Sequence, residues 1–285
     1  MLAGGRLNAR GWIPEPFALA FPLSAKERLV LMLYLYLDET GTHAEAGNIG
    51  VAGYLAREEQ WSAFQAAWQE ELTAYSIPFF HMTDFLARRG HFQDWPEQKR
   101  MPRLRKLIRI INRHAAASIG QVIPVKLFAE VRTRYPLARG SAYHYCAVAT
   151  FAWAAQIADS WDLPPSEPIN YVMAAGAPGR TEVESAFNQI FENTTIRRNY
   201  RMIGMDFYEA QRILPLQAAD ILANTLYRQL PRFLSNRASA TDEISDLARI
   251  KERRWERFTE ANIEYLLGEA HRREEARRSR KGHRA

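Results

Sequence analysis

The run Leu29 to Gly41, LVLMLYLYLDETG, constrains the fold more than any other stretch of the chain. In an extended conformation Leu29, Leu31, Leu33, Leu35 and Leu37 share one face, while Val30, Met32, Tyr34, Tyr36 and Asp38 share the other. A short run that is apolar on both faces and is stopped by Asp-Glu-Thr-Gly reads as a central strand, covered on both sides and ending in a turn. Asp38 is then the first charge at the end of a dry strand, where a carboxylate needs a cation, hydrogen-bond donors or water to offset its lost hydration. Turn chemistry is one explanation, because Asp and Thr beside Gly commonly bond their own backbone at a strand end. A functional site is the other.

The chain has 285 residues, 47% of them hydrophobic, which is ample for one large core. Its lone cysteine, Cys146, sits in the apolar stretch SAYHYCAVATFAWAAQIADSW and reads as a small core residue. One cysteine rules out a disulfide framework within the chain and leads to the expectation of a reducing, cytoplasmic setting. No stretch approaches a membrane span. The segment Met1 to Leu23 faintly imitates a signal peptide, but its apolar part is short and broken by Pro22, so a docked or loose extension is expected. The formal charge of +6 is modest, and its uneven distribution matters more for partners than its size.

After the first strand, GNIGVAGYLA supplies a hairpin partner, and a helix follows from about Arg57 to Tyr75, with Trp61, Phe64, Trp68 and Leu72 on its buried face. In FHMTD, His81 and Asp84 stand three apart. They read either as a loop histidine and a helix N-terminal acid, or as auxiliary groups of a site founded on Asp38. The helix Gln98 to His114 divides sharply. Met101, Leu104, Leu107, Ile108 and Ile111 share one side, while Lys99, Arg103, Arg105, Lys106, Arg109 and Arg113 cover the other with no acid among them. Such a face is ordinarily solvated, but without the usual Glu-Lys pairing it is also a candidate grip for a phosphate backbone.

A strand in ASIGQVIPVKLF, an apolar helix from Ser141 to Trp161, a buried strand INYVMAAG and another strand RMIGMDFYEA lead to a second informative helix, PLQAADILANTLYRQL. GAPGR, between those last two strands, lacks the Lys-Ser/Thr element of a P-loop and reads as a turn, with a capping box expected at Thr181 and Glu184. On the PLQAAD helix, Gln217, Asp220, Asn224 and Arg228 form one narrow polar stripe in an otherwise apolar circumference. The alanines around Asp220 allow a close approach to a sheet. The tail from Asp242 is charged and expected to be helical, with Ile244, Leu247, Phe258, Ala261 and Tyr265 as its apolar edge and a basic end.

Strands alternating with helices, opened by a hairpin, indicate an α/β sheet with helices on both faces. Residues 1–28 read as an N-terminal extension, 29–235 as the domain and 236–285 as a charged helical extension. In such a fold Asp38 and Asp220 meet if the late helix packs across the first strand. Two adjoining carboxylates repel unless a cation lies between them, and oxygen ligands without a cysteine or histidine cluster favour Mg²⁺ or Mn²⁺. Such ions support phosphodiester hydrolysis.

YLDETG at Tyr36 to Gly41, FHMTD at Phe80 to Asp84 and PLQAAD at Pro215 to Asp220 together resemble the domain of unknown function 3800 family, over about Leu29 to Leu230. The resemblance implies a ribonuclease H-like mixed sheet flanked by helices, and a metal-dependent nuclease site in which Asp38 and Asp220 hold metal and Glu39 joins them as a catalytic acid. His81, Asp84, Gln217, Asp206 and Glu209 are auxiliary candidates. Lys99, Arg103, Lys106, Arg109 and Arg113 are expected to bind the nucleic acid. Where such proteins commonly place an acid, the strand INYVMAAG offers Met173, Ala174 and Ala175, which opens the alternative of a catalytically impaired binder of nucleic acid or protein.

Overall fold

Strand β1 (Leu33–Thr40), formed by the apolar run, turns back antiparallel into β2 (Asn48–Arg57), with Asp38 opposite Ala52. The structure is a computed structural model that describes residues 32–41, 46–164, 167–176, 178–235 and 241–282. The expected extension over residues 1–28 lies outside these. Helices α1 (Glu58–Ala74), α2 (Met82–Ala87) and α3 (Glu97–His114) precede β3 (Ala117–Pro124), which pairs antiparallel with β2. Helices α4 (Val125–Arg132) and α5 (Ala142–Ser160) lead into β4 (Ile169–Ala174), parallel to β1 on its other side, with Leu37 beside Met173. After α6 (Arg180–Glu192) and α7 (Thr194–Asn199), β5 (Met202–Tyr208) adds parallel to β4. Helix α8 (Leu214–Ser235), α9 (Asp242–Leu247), β6 (Glu252–Arg257) and α10 (Glu260–Gly282) follow. The strand order is β5-β4-β1-β2-β3-β6, a mixed six-stranded sheet flanked by helices.

The two faces of β1 feed two cores. Leu33, Leu35 and Leu37 are fully buried against the face that carries α5, whose Phe151 and Ala154 pack there. Tyr34 and Tyr36 point to the opposite face, where Trp61, Phe64 and Trp68 of α1 form a buried aromatic ladder. Each such ring removes a large apolar area from water, so this ladder holds α1 to the sheet. The indole Nε1 of Trp61 donates to the Tyr34 carbonyl at 3.0 Å, which satisfies the only polar atom that ring brings in.

Helix α8 lies across β1 and β2. A row of small side chains makes room for it. Asp38, Ala52 and Gly120 are aligned across three strands, and a Cβ at Gly120 would stand 2.1 Å from Leu226 Cδ1 and 3.1 Å from Ala52 Cβ. Beyond β1, Gly41 turns the chain at φ +71°, where a Cβ would meet the Asn48 carbonyl oxygen at 1.9 Å. Only glycine occupies that turn without strain.

The tail departs from the all-helical expectation. Glu252–Arg257 is a strand, β6, paired parallel with β3 at the sheet edge. Its sequence, ERRWER, carries one apolar residue, so no hydrophobic alternation marks it. The exposed edge of β3 recruits it, and its charges suit an edge position. In α10 the buried side chains include Ile263 and Leu267, whereas Ala261 and Tyr265, expected on the apolar side, are exposed, Tyr265 to 68%. The cap expected at Thr181 is also not used. Helix α6 begins at Arg180, whose guanidinium bonds Glu184 at 2.9 Å. Among the described residues no helix is long and apolar enough to cross a membrane.

Candidate functional site

At the end of β1 the Asp38 side chain follows Tyr34 and Tyr36 onto the α8 face and is buried. Its Oδ1 accepts the Glu39 backbone N–H at 2.9 Å, which is the turn-type bond expected of an aspartate at a strand end. From the other side, Asp220 projects from the second turn of α8, and its Oδ2 accepts the N–H of Met82, the first residue of α2, at 2.6 Å. Both carboxyls line one cleft of about 1330 Å³. Its floor is buried and is built from Asp38, Asp220, Phe80 and Ala174, while its rim includes the exposed Thr83, Ala87 and Glu209.

Glu39 lies opposite Val51, and strand alternation sends it to the other face from Asp38. At the strand end its side chain nevertheless comes round to the cleft, where its carboxyl shares a hydrogen bond with that of Asp38. One Glu39 oxygen, Oε2, is buried with no hydrogen-bond partner among the described residues. Burial is the main cause that lifts all three acids, and repulsion adds to it, from Glu39 and Asp220 at Asp38, from Asp220 at Glu39 and from Asp84 at Asp220. Asp38 is raised well above the ordinary carboxylate range by burial and then by Glu39 and Asp220. Burial carries Glu39 up to about 7 and Asp220 up to about 6, the latter partly offset by the Met82 amide and by His81. The two arginines of the cleft are held elsewhere: Arg180 bonds Glu184, and Arg228 bonds Asn224 and Glu243.

A crowded set of carboxyls with raised affinity for protons and an orphaned buried oxygen suits a hard cation. Among the described residues no group of three or more His, Cys, Asp or Glu side chains has the geometry of a metal cage. Asp38 and Asp220, whose carboxyls share the cleft, are the residues that could hold such an ion, with water or substrate oxygens completing the oxygen coordination that Mg²⁺ and Mn²⁺ accept. Ala174, at the end of β4, lines the cleft with a methyl group at the place where a third acid was expected.

The auxiliary candidates separate. His81 lines the cleft, and its Nδ1 bonds Asp84 Oδ2 at 2.8 Å. Asp84 does not line it. The His81 bond, then the nearby Arg89 at 3.3 Å, hold its carboxyl below the usual range. Gln217 is fully buried and is a structural clamp: its Oε1 accepts Trp68 Nε1 at 3.1 Å and the Phe80 N–H at 2.9 Å, and its Nε2 donates to the Gln211 carbonyl. Asp206 sits two residues before the end of β5, accepts from Asn170 at 3.4 Å and is not among the cleft residues. Glu209 is on the rim, paired with Arg212 at 2.9 Å.

The basic face of α3 differs most from expectation. Its one acid, Glu97 in the first turn, pairs with Arg100, and further acids arrive from other elements. Buried Glu71 of α1 pairs with both Arg103 and Lys106, and Asp242 pairs with Arg105. Lys99 lies 4.2 Å over the Trp95 ring. Arg109 and Arg113 stay exposed, and among the described cleft residues none comes from α3. The cations that do line the cleft, Arg180 and Arg228, had different visibility in the sequence. Arg228 lies two turns after Asp220 on the same polar stripe, whereas Arg180 is hidden in a turn.

The fold and site define an α/β protein with a cleft floored by carboxyls at the end of its central strand. Compared with models of known protein families and with curated proteins, the chain matches none.

Proposed function

We propose that this protein is a divalent-metal-dependent phosphodiester hydrolase of ribonuclease H-like type that acts on nucleic acid. The observation that carries the reading is the convergence of Asp38 from β1 and Asp220 from α8 on one buried floor. The central position of β1, its antiparallel partner β2, its parallel partner β4 and the late helix laid across it support the ribonuclease H-like assignment. The three motifs of the domain of unknown function 3800 family fall on these same elements, at β1, α2 and α8.

Asp38 and Asp220 would hold the ion. A bound Mg²⁺ or Mn²⁺ supplies a Lewis acid for a phosphoryl oxygen and a water of lowered pKa. Glu39, whose carboxyl lies beside that of Asp38, would be the group placed to take up or release a proton there. His81 is oriented by its Nδ1 bond to Asp84 and stands at the mouth of the same cleft. Phe80 and Ala174 keep the floor apolar and strengthen every electrostatic contact made there.

The test is cleavage of single-stranded and duplex nucleic acid by the purified chain in Mn²⁺. Nicking that disappears in Asp38→Asn is the expected result; activity unchanged in that variant rejects the assignment. A second reading, a binder that has lost turnover, is favoured by Ala174 in the cleft. It predicts salt-dependent binding with no cleavage in the same assay.

A further inference from the structure

The cleft combines depth, polarity and charge in a way that selects among nucleic acids. The carboxyls lie at the bottom, with Asp38 and Asp220 each 8% exposed, so a phosphate reaches them only by descending past the rim. Arg228 stands on α8 two turns beyond Asp220, about 12 Å along the helix axis at 1.5 Å per residue, with Asn224 between them on the same stripe. Arg180 stands on the far side of the carboxyls. Its guanidinium rests 4.6 Å over the ring of Phe207, which lies in register with Met173 and Leu37 on the opposite face of the sheet from α8. The wall contributed by α2 and its leading loop presents Phe79 and the 37% exposed Leu86 beside His81 and Thr83.

We infer that the substrate is a single strand of nucleic acid, laid through this cleft along the α8 stripe, with Arg180 and Arg228 gripping phosphates on either side of the carboxyl floor. This rests on the hydrolase reading for its substrate class. A duplex holds its phosphates on a stiff convex surface and leaves them above the rim. A single strand bends its backbone to the floor and turns its bases toward Phe79 and Leu86, the pairing of cationic track and apolar platform that single-strand binders use. The ion pairs of Arg180 and Arg228 do not remove them from this role. Each is anchored by its carboxylate partner, which fixes the guanidinium plane, and each still lines the open cleft. The path avoids α3, none of whose residues is among the described residues lining the cleft.

The experiment measures binding of a fluorescent single-stranded oligonucleotide, and of its duplex, to the full chain in Ca²⁺ across a salt series. The expected result is tighter binding of the single strand, a loss of about tenfold in Arg180→Gln, the scale of one charge-assisted contact, and a fall of about 0.7 in the slope of log affinity against log salt. The double variant Arg109→Gln with Arg113→Gln is expected to bind as the parent does. Arg228→Gln should behave like Arg180→Gln, and a urea midpoint recorded with it guards against unfolding, since it strips Glu243 of a partner. Duplex bound as tightly as single strand, no binding at all, or a loss confined to the α3 variant would overturn the inference. Cleavage in Mn²⁺ that persists while Arg180→Gln binds normally leaves the hydrolase and removes the path. Weakened binding in Arg180→Gln without any cleavage leaves the path and removes the hydrolase.

Discussion

A carboxyl that is harder to ionise in the folded chain than in the unfolded one makes the fold less stable as it loses its proton. Asp220 moves from an ordinary 3.8 to about 6, and Glu39 from 4.5 to about 7. Between each pair of values the folded chain keeps a proton that the unfolded chain has released. The folded state therefore binds more protons, and stability is fully present below about pH 4 and falls as the pH rises through 6 to 7. Asp220→Asn removes the charge and keeps an oxygen for the Met82 N–H. Without divalent ions this variant is expected to be more stable than the parent at pH 8, by on the order of 1–3 kcal/mol, with the difference vanishing below about pH 4. Urea unfolding in a chelator at both pH values checks it. A purely structural cap would show the reverse, a loss at pH 8. The same logic makes metal binding compete with protons, so ion-induced stabilisation should grow from pH 5 to pH 7.

Helix α8 shows what a helical wheel reveals and what it withholds. The stripe Gln217, Asp220, Asn224 and Arg228 is plain in the sequence, and so are the alanines that let the helix settle. Which end of the stripe is dry is not. In the fold Gln217 is fully buried, bonded to Trp68 and Phe80, whereas Arg228 is exposed. Gln217 then does the work of a tether, joining α8 to Trp68 of α1 and to Phe80, the residue before His81. Gln217→Ala leaves two buried N–H groups without an acceptor. The expected cost is about 2–6 kcal/mol, from an unsatisfied-donor penalty of roughly 1–3 kcal/mol each, read as a lower urea midpoint with little change in slope. Helix α3 failed to be legible for a related reason. Its basic face is complete in sequence, but the acids that answer it belong to α1 and α9, and no local pattern brings Glu71 or Asp242 to it.

For the molecule as a whole, the sheet's centre was readable and its edge was not. β1 and β4 announce themselves because strands dry on both faces must be apolar throughout, whereas β6 is held by pairing with β3 and by little in its own composition. That edge changes the status of the tail. Ile244 and Leu247 of α9 are fully buried in the core beneath α8, and Phe258 and Leu267 join the core on the other face. Glu243, also buried, bonds Thr225, Arg228 and Gln229, so the segment after α8 fixes the arginine at the cleft. A dispensable extension would have none of these ties. Truncation after Ser235 is therefore expected to uncover the β3 edge and both cores together, giving a chain that aggregates or unfolds without a cooperative transition in thermal circular dichroism. Removal of only the residues after 276, of which 277–280 are exposed on α10, should leave the melting temperature within a few degrees of the parent, the shift that a change of about 1 kcal/mol produces in a chain of this size. If the short chain ending at Ser235 melts cooperatively near the parent temperature, the sheet closes without β6, and Arg228 is positioned by α8 alone.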